Sequence, residues 1–200
     1  HPVCVALDAA GDGTCFPLAS GRPDDWFDHD GQITKRPVRA LTLSALAPTP
    51  FEYLWDIGAG SGSVSIEWLL SHPTVTATAI EADPVRANRI VDNAKRLGAD
   101  RLQVINDRAP ECLIGLPAPN VVFIGGGLSD GPLDWITQNL APGTRLVANA
   151  VTLESEALLT LTHAAMGGDL SRFEISQATP IGTRTGWKAS YPITQWNHTL

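Results

Sequence analysis

Long hydrophobic runs are absent from this 200-residue chain. Its apolar stretches are strand-length and broken by Gly, Pro or charge, short of the roughly 20 residues a membrane-spanning helix needs. No membrane partner is therefore expected, and the start shows no secretory pattern. Cysteine is scarce too: Cys4, Cys15 and Cys112 are an odd number without metal-ligand spacing. That excludes a disulfide framework or a structural zinc site and fits a reducing cytoplasm. Basic charge is the third deficit. With 14 Lys and Arg against 21 Asp and Glu, the formal net charge is −7. A nonspecific grip on nucleic acid needs a basic surface to displace counterions, so no nucleic-acid partner is expected. Any anionic ligand must be met by a local basic cluster. The chain also lacks a G-x-S-x-G elbow, an H-E-x-x-H helix and paired cysteines, and its five histidines are scattered. Hydrolase and metalloenzyme readings fall away, and no metal site is expected.

What is present is 44% hydrophobic content, enough for one sizeable core. Residues 1–24 are rich in Gly, Pro, Ala and Asp, with one short apolar run at 3–7 that reads as a strand without a partner, and are expected to be a tail and linker. Residues 25–200 then form the domain. A helix is predicted over 32–46, with Pro37 in its first turn. From Tyr53 onward, apolar runs at 53–57, 75–80, 102–106, 120–124 and 145–150 alternate with amphipathic stretches, the pattern of an α/β fold with a parallel sheet. The clearest helix follows Asp83-Pro84 and runs to Leu97, where Gly98 stops it; another spans 153–166. After Gly168 the pattern changes, because 172–179 and 188–195 read as consecutive strands and imply an antiparallel hairpin. A mostly parallel seven-stranded sheet that closes with such a hairpin is the class I, Rossmann-like pattern of S-adenosylmethionine-dependent methyltransferases. A dinucleotide-binding domain normally continues with parallel strands.

The turn Asp56-Ile57-Gly58-Ala59-Gly60-Ser61-Gly62 follows an apolar strand and opens a helix. Its glycines let backbone approach a nucleotide closely, and it lacks the Lys-Ser/Thr ending of a phosphate loop. The carboxylate of Asp56 suits a ligand with an ammonium and a sulfonium. Nineteen residues beyond Gly62, Glu81 ends the second strand beside Ala82, where an acid takes both hydroxyls of a ribose. Asp107 ends the third, able to accept from an adenine amino group, with Arg108 and Ala109 against the ring. Each acid alone reads equally well as a turn residue, a surface carboxylate or a helix cap. In order on successive strand ends they favour a nucleoside cofactor, although the spacing is shared with NAD enzymes.

On the substrate side, Lys35, Arg36 and Arg39 crowd a helix start, where cations are mildly unfavourable, so an anionic partner or a solvated basic face accounts for them. Arg184 and Lys188 offer a second basic pair. Gly125-Gly126-Gly127 stands where enzymes methylating nucleic-acid amino groups carry an Asn/Asp-Pro-Pro-aromatic clamp, and reads as room for a flat acceptor or as a flexible loop.

The stretches His29-Asp30-Gly31-Gln32-Ile33-Thr34-Lys35-Arg36-Pro37-Val38-Arg39-Ala40, Leu54 to Trp68, Val122 to Gly127 and Ala148 to Ser155 resemble the C-terminal domain of the decarboxylating precorrin-6Y C5,15-methyltransferases of cobalamin biosynthesis. The resemblance implies S-adenosylmethionine as cofactor, methylation of a tetrapyrrole precorrin at C15, and decarboxylation of its C12 acetate. It also implies a preceding domain acting at C5 and, from single-domain relatives, a homo-oligomer, specifically a tetramer. By this likeness Thr34 joins Asp56, Gly58, Ala59, Gly60, Ser61, Gly62, Glu81, Ala82, Asp107, Arg108 and Ala109 around the cofactor. Lys35 and Arg39 would orient the substrate, and Arg36, Gly126, Gly127, Asn149, Thr152, Arg184 and Lys188 would contact it. Arg108 departs from the family pattern, where single-domain members more often show Gly-Asp-Ala. The competing readings are an NAD(P)-dependent oxidoreductase and a noncatalytic cofactor-binding module.

Overall fold

Five apolar segments become parallel strands in the computed structural model, which describes residues 4–8, 10–13 and 15–200. They are β1 (Tyr53–Ile57), β2 (Thr76–Ile80), β3 (Gln103–Ile105), β4 (Val121–Ile124) and β5 (Arg145–Ala150). All four pairings among them are parallel. Helices cover both faces, which is why β4 is apolar and buried along its whole length instead of alternating. One core layer gathers Leu54, Trp68, Ile90 and Phe123; the other gathers Trp55, Ile57, Val122 and Trp196. The sheet order is β3-β2-β1-β4-β5 followed by β9 (Ile193–Thr199) and β6 (Asp169–Phe173), both pairings of β9 being antiparallel. Order therefore reverses between β1 and β4, and a crevice opens beyond their carboxyl ends.

The helices are α1 (Arg36–Leu46), α2 (Ser63–Ser71), α3 (Pro84–Arg96), α4 (Asp130–Asn139) and α5 (Leu153–Met166). The Asp83 carboxylate accepts the N–H groups of Val85 and Arg86 and so caps α3, with Pro84 in its first turn. None of the described helices is long and apolar enough to cross a membrane.

Three expectations change. The closing segment holds four strands, because the chain leaves the main sheet at Glu174-Ile175. The segment 172–179 is split between β6 and β7 (Ser176–Ile181), and 188–195 between β8 (Arg184–Ala189) and β9. β7 and β8 form a hairpin, but as a separate two-stranded sheet, while the antiparallel edge of the main sheet is β9 with β6. The strand read at 3–7 lies partly outside the described residues, and residues 4–7 are irregular and exposed. The end of the segment expected to be linker also packs against the domain, with Gly21 and Arg22 buried.

What buries them is Glu67, a carboxylate in the apolar helix α2. It accepts the backbone N–H of Gly21 at 2.7 Å and of Arg22 at 2.8 Å, Nη1 of Arg22 at 3.3 Å and Nε of Arg39 at 2.6 Å. Arg39 also donates to the Asp24 carboxylate and to the carbonyls of Thr34 and Arg22, and its guanidinium lies over the Phe27 ring. Fully buried, with all three side-chain nitrogens engaged by these partners and no place on the cavity wall, Arg39 has no reach toward a substrate. The substrate-orienting role expected for it is withdrawn.

A buried ion cluster that loses its carboxylate leaves desolvated guanidinium groups behind. Glu67→Ala is expected to lower unfolding free energy by about 3–5 kcal/mol in urea denaturation, and a loss under about 1 kcal/mol would contradict this account of the cluster.

Candidate functional site

The carboxyl ends of β1 to β5 open into one cavity of about 1500 Å³, walled on the far side by residues 31–35 and by the β7–β8 hairpin. At its base, the N–H groups of Gly58 and Ala59 donate to the Ile80 carbonyl at 2.9 and 3.1 Å, tying the turn after β1 to the end of β2. Gly58 has φ +70°, and a Cβ there would lie 2.3 Å from the Gly126 carbonyl oxygen. The turns after β1 and β4 thus touch backbone to backbone, which only glycine permits. Gly126 serves this contact, so the triple glycine is less an open space for the acceptor than the sequence suggested. Gly127, with nothing within 4 Å of a notional Cβ, is the open position.

Gly58, Ala59 and Gly60 line the cavity, while Asp56, Ser61 and Gly62 do not. A Cβ on Gly62 would press Ile90 at 2.7 Å, so this glycine lets α3 pack close. Ser61 is buried, its carbonyl accepting from Asn93 Nδ2 at 3.0 Å. Asp56 is buried below the turn, where Oδ2 accepts the N–H and hydroxyl of Ser65 at 3.1 and 2.5 Å and Oδ1 has no partner among the described residues. Burial pushes its pKa up to about 6 against these hydrogen bonds, with the nearby Glu81 charge adding to the rise. Asp56 therefore anchors the start of α2 through Ser65 and is not among the residues that line the cavity.

Glu81 does reach the cavity. Its Oε2 accepts the Gly60 N–H at 2.8 Å and its Oε1 the Asp83 N–H at 3.0 Å, leaving lone pairs on both oxygens free. Ala82, Asp107, Arg108 and Ala109 line the same side. Asn106 was not foreseen; its Nδ2 donates to the Glu81 carbonyl at 2.8 Å and joins the ends of β2 and β3.

Thr34, Lys35, Gly126, Gly127, Asn149 and Lys188 line the same cavity. The Asn149 amide is held by Thr42 Oγ1 at 2.9 Å and Gln195 Nε2 at 2.8 Å. Arg36, Thr152 and Arg184 fall outside the cavity wall. Arg36 and Arg184 project into solvent at the start of α1 and at the hairpin turn, and the Thr152 hydroxyl accepts the Ser155 N–H at 3.2 Å as the cap of α5. Arg86, Gln32, Gln177 and Tyr191 are lining residues that sequence reading missed. The signal for Arg86 was available: the first turn of a helix following the strand that ends at Glu81 faces the same crevice.

The raised pKa of Asp56 has a defined sign. Its unfolded value is 3.8 and its folded value about 6, so its contribution is fully present below pH 3.8 and is lost as pH rises to about 6. Asp56→Asn should remove that falling slope of unfolding free energy across this window, about 3 kcal/mol in all, measured by denaturation at successive pH values. An unchanged slope would place the titration elsewhere.

Known proteins share this fold and sequence. The family model described as a precorrin methyltransferase domain matches residues 25–200. A precorrin-6Y C(5,15)-methyltransferase [decarboxylating] of Sinorhizobium sp is 54% identical over 203 residues, covering 100% of this chain and 49% of the relative. The chain thus spans about half the length of that protein. A cobalt-precorrin-6B C(15)-methyltransferase (decarboxylating) of Salmonella typhimurium is 35% identical over 80% of this chain and 85% of its own length. The crystal structure of the C-terminal domain of precorrin-6Y C5,15-methyltransferase from Rhodobacter capsulatus superposes with a TM-score of 0.88 at 51% identity, covering 92% of this chain and 100% of that one. With the sheet order, the cavity at the strand ends and these matches together, the chain belongs to the precorrin methyltransferase domain family.

Proposed function

We propose that this domain transfers a methyl group from S-adenosylmethionine to C15 of a precorrin and decarboxylates the C12 acetate of the same ring. The observation that carries the reading is the single cavity lined both by Gly58 to Gly60, Glu81 and Asp107, a set suited to a nucleoside, and by the cations Lys35 and Lys188. At about 1500 Å³ it exceeds the roughly 300–1,000 Å³ usual for one small ligand. That is room for a nucleoside cofactor and a large ring side by side. We assign C15 alone, because the relative named for C(15) is matched over 85% of its length, whereas the one named for both positions is matched over 49%.

The residues fit the cofactor. Glu81 keeps lone pairs for ribose hydroxyls, the glycine turn admits close backbone approach, and Asp107 is open to accept from an amino group. Bound there, the cofactor supplies an electrophilic methyl on a positively charged sulfur, and its charge disappears on transfer. The protein's part is then to position a nucleophilic ring carbon and exclude water. Lys35 and Lys188 would hold peripheral carboxylates of the acceptor. When the C12 acetate loses carbon dioxide, the electron pair of the broken C–C bond passes into the conjugated ring, and the remaining carbon takes up a proton.

Incubation with methyl-labelled S-adenosylmethionine and a C5-methylated precorrin should give labelled product and carbon dioxide. Lys188→Ala should raise KM for the precorrin by about 10–100-fold, as loss of one charge-assisted contact implies, while S-adenosylhomocysteine affinity stays within about twofold. Binding of S-adenosylhomocysteine with neither label transfer nor carbon dioxide would instead support a noncatalytic module, and binding of NAD in its place an oxidoreductase.

A further inference from the structure

Residues 28–35 cross above the cofactor turn, and their attachment is uneven along their length. A Cβ built on Gly60 would meet only the Gln32 carbonyl oxygen, at 3.3 Å, so this segment roofs the turn directly. Before the crossing, the N–H of Asp28 donates to Asn93 Oδ1 at 2.8 Å, and Asn93 Nδ2 donates to the Asp28 carbonyl at 2.9 Å. After it, the Thr34 carbonyl is held by the buried Arg39. Both ends are therefore fixed to the core. The centre is held otherwise: Asp30 Oδ2 accepts Arg86 Nε at 2.8 Å and lies 3.2 Å from Arg89 Nη1, and Asp30 Oδ1 accepts the Gln32 N–H at 3.1 Å. Arg89 also pairs with Asp28 at 3.3 Å.

These central ion pairs are partly solvent-exposed, with Arg86 and Asp30 side chains 33% and 35% accessible. Such pairs are individually weak in water, so the centre opens far more readily than the ends. The hydrogen bonds from Arg86 and the Gln32 N–H hold the Asp30 carboxyl well below the usual carboxylate range, which keeps it charged throughout the neutral region. Asp30 and Arg89 do not line the cavity, whereas Gly31, Gln32, Ile33 and Thr34 do.

We propose that Asp30 is a positioning residue that latches residues 29–34 over the cofactor turn through Arg86 and Arg89, and that opening of this latch sets the rate at which spent cofactor leaves. The proposal rests on the reading that S-adenosylmethionine occupies the glycine turn. Because Asp30 makes no cavity contact of its own, its effect on the nucleoside passes through the backbone of Gly31 to Thr34.

The test uses this chain with S-adenosylhomocysteine as probe, in wild type, Asp30→Ala, Arg89→Ala and the double variant. Stopped-flow displacement should show dissociation about fivefold faster in Asp30→Ala, which breaks both ion pairs, and about threefold faster in Arg89→Ala, with association changed far less. The double variant should be no faster than Asp30→Ala, since Asp30 is the shared partner of Arg86 and Arg89. Hydrogen exchange without ligand should rise in residues 29–34 and stay unchanged in β1 and α2, a local readout that a general loss of stability would not give. Dissociation within twofold of wild type in both single variants would overturn the latch while leaving the cofactor reading intact, as would exchange that rises throughout the domain. Failure of wild type to bind the probe would overturn both.

Discussion

A single buried carboxylate organises the half of this domain that carries the site. Taking Glu67 out of water is unfavourable unless its oxygens are fully engaged, and the chain engages them with four donors from two separate segments. Two are backbone N–H groups of Gly21 and Arg22, which binds that segment to α2. The third and fourth are guanidinium groups, and one of these, on Arg39, extends the cluster to the Thr34 carbonyl. Thr34 lines the cavity, and α2 begins immediately after the glycine turn. The wall above the glycine turn and the helix below it are thus referred to one charge in the core.

A second constraint acts at the switch point. The turns after β1 and β4 meet at Gly58 and Gly126 with no space for a Cβ on Gly58, while the N–H of Gly125 donates to the Ile57 carbonyl at 3.0 Å. This contact closes the base of the crevice. In the function proposed above, the nucleoside lies along β1, β2 and β3, and the acceptor enters from the side of β5 and the hairpin. Glu81 acts on both sides of the arrangement, since one of its oxygens restrains Gly60 while the remaining lone pairs face the cavity.

Legibility in the sequence followed the physics of each signal. The five parallel strands were readable because burial on both faces makes short, continuous apolar runs, and α3 was readable because its cap, first-turn proline and stopping glycine are local. The hold of Asp56 on α2 was readable from period-2 alternation: it shares a face with Leu54, which packs in the layer containing α2. Arg39 was misread because a cluster of cations at a helix start looks the same whether solvated or buried. Its partner lies 28 residues away, and the only hint was one glutamate inside the apolar run of α2. The division of 172–179 between two sheets left no mark, since β7 and β8 bury too little to impose a pattern.

The overall acidity of the chain and the anionic ligand proposed for it are reconciled by where the cations remain free. Arg22 and Arg39 are consumed by Glu67 and Asp24, Arg86 and Arg89 by Asp28 and Asp30, and Arg145 by Glu52. Lys35, Arg108 and Lys188 line the cavity, and among the described residues none of them has a carboxylate within ion-pair distance. An acidic surface repels anions in general, so only a ligand that spans several of these cations at once recovers the cost of approach. A large polycarboxylate ring meets that condition, and a single small carboxylate does not.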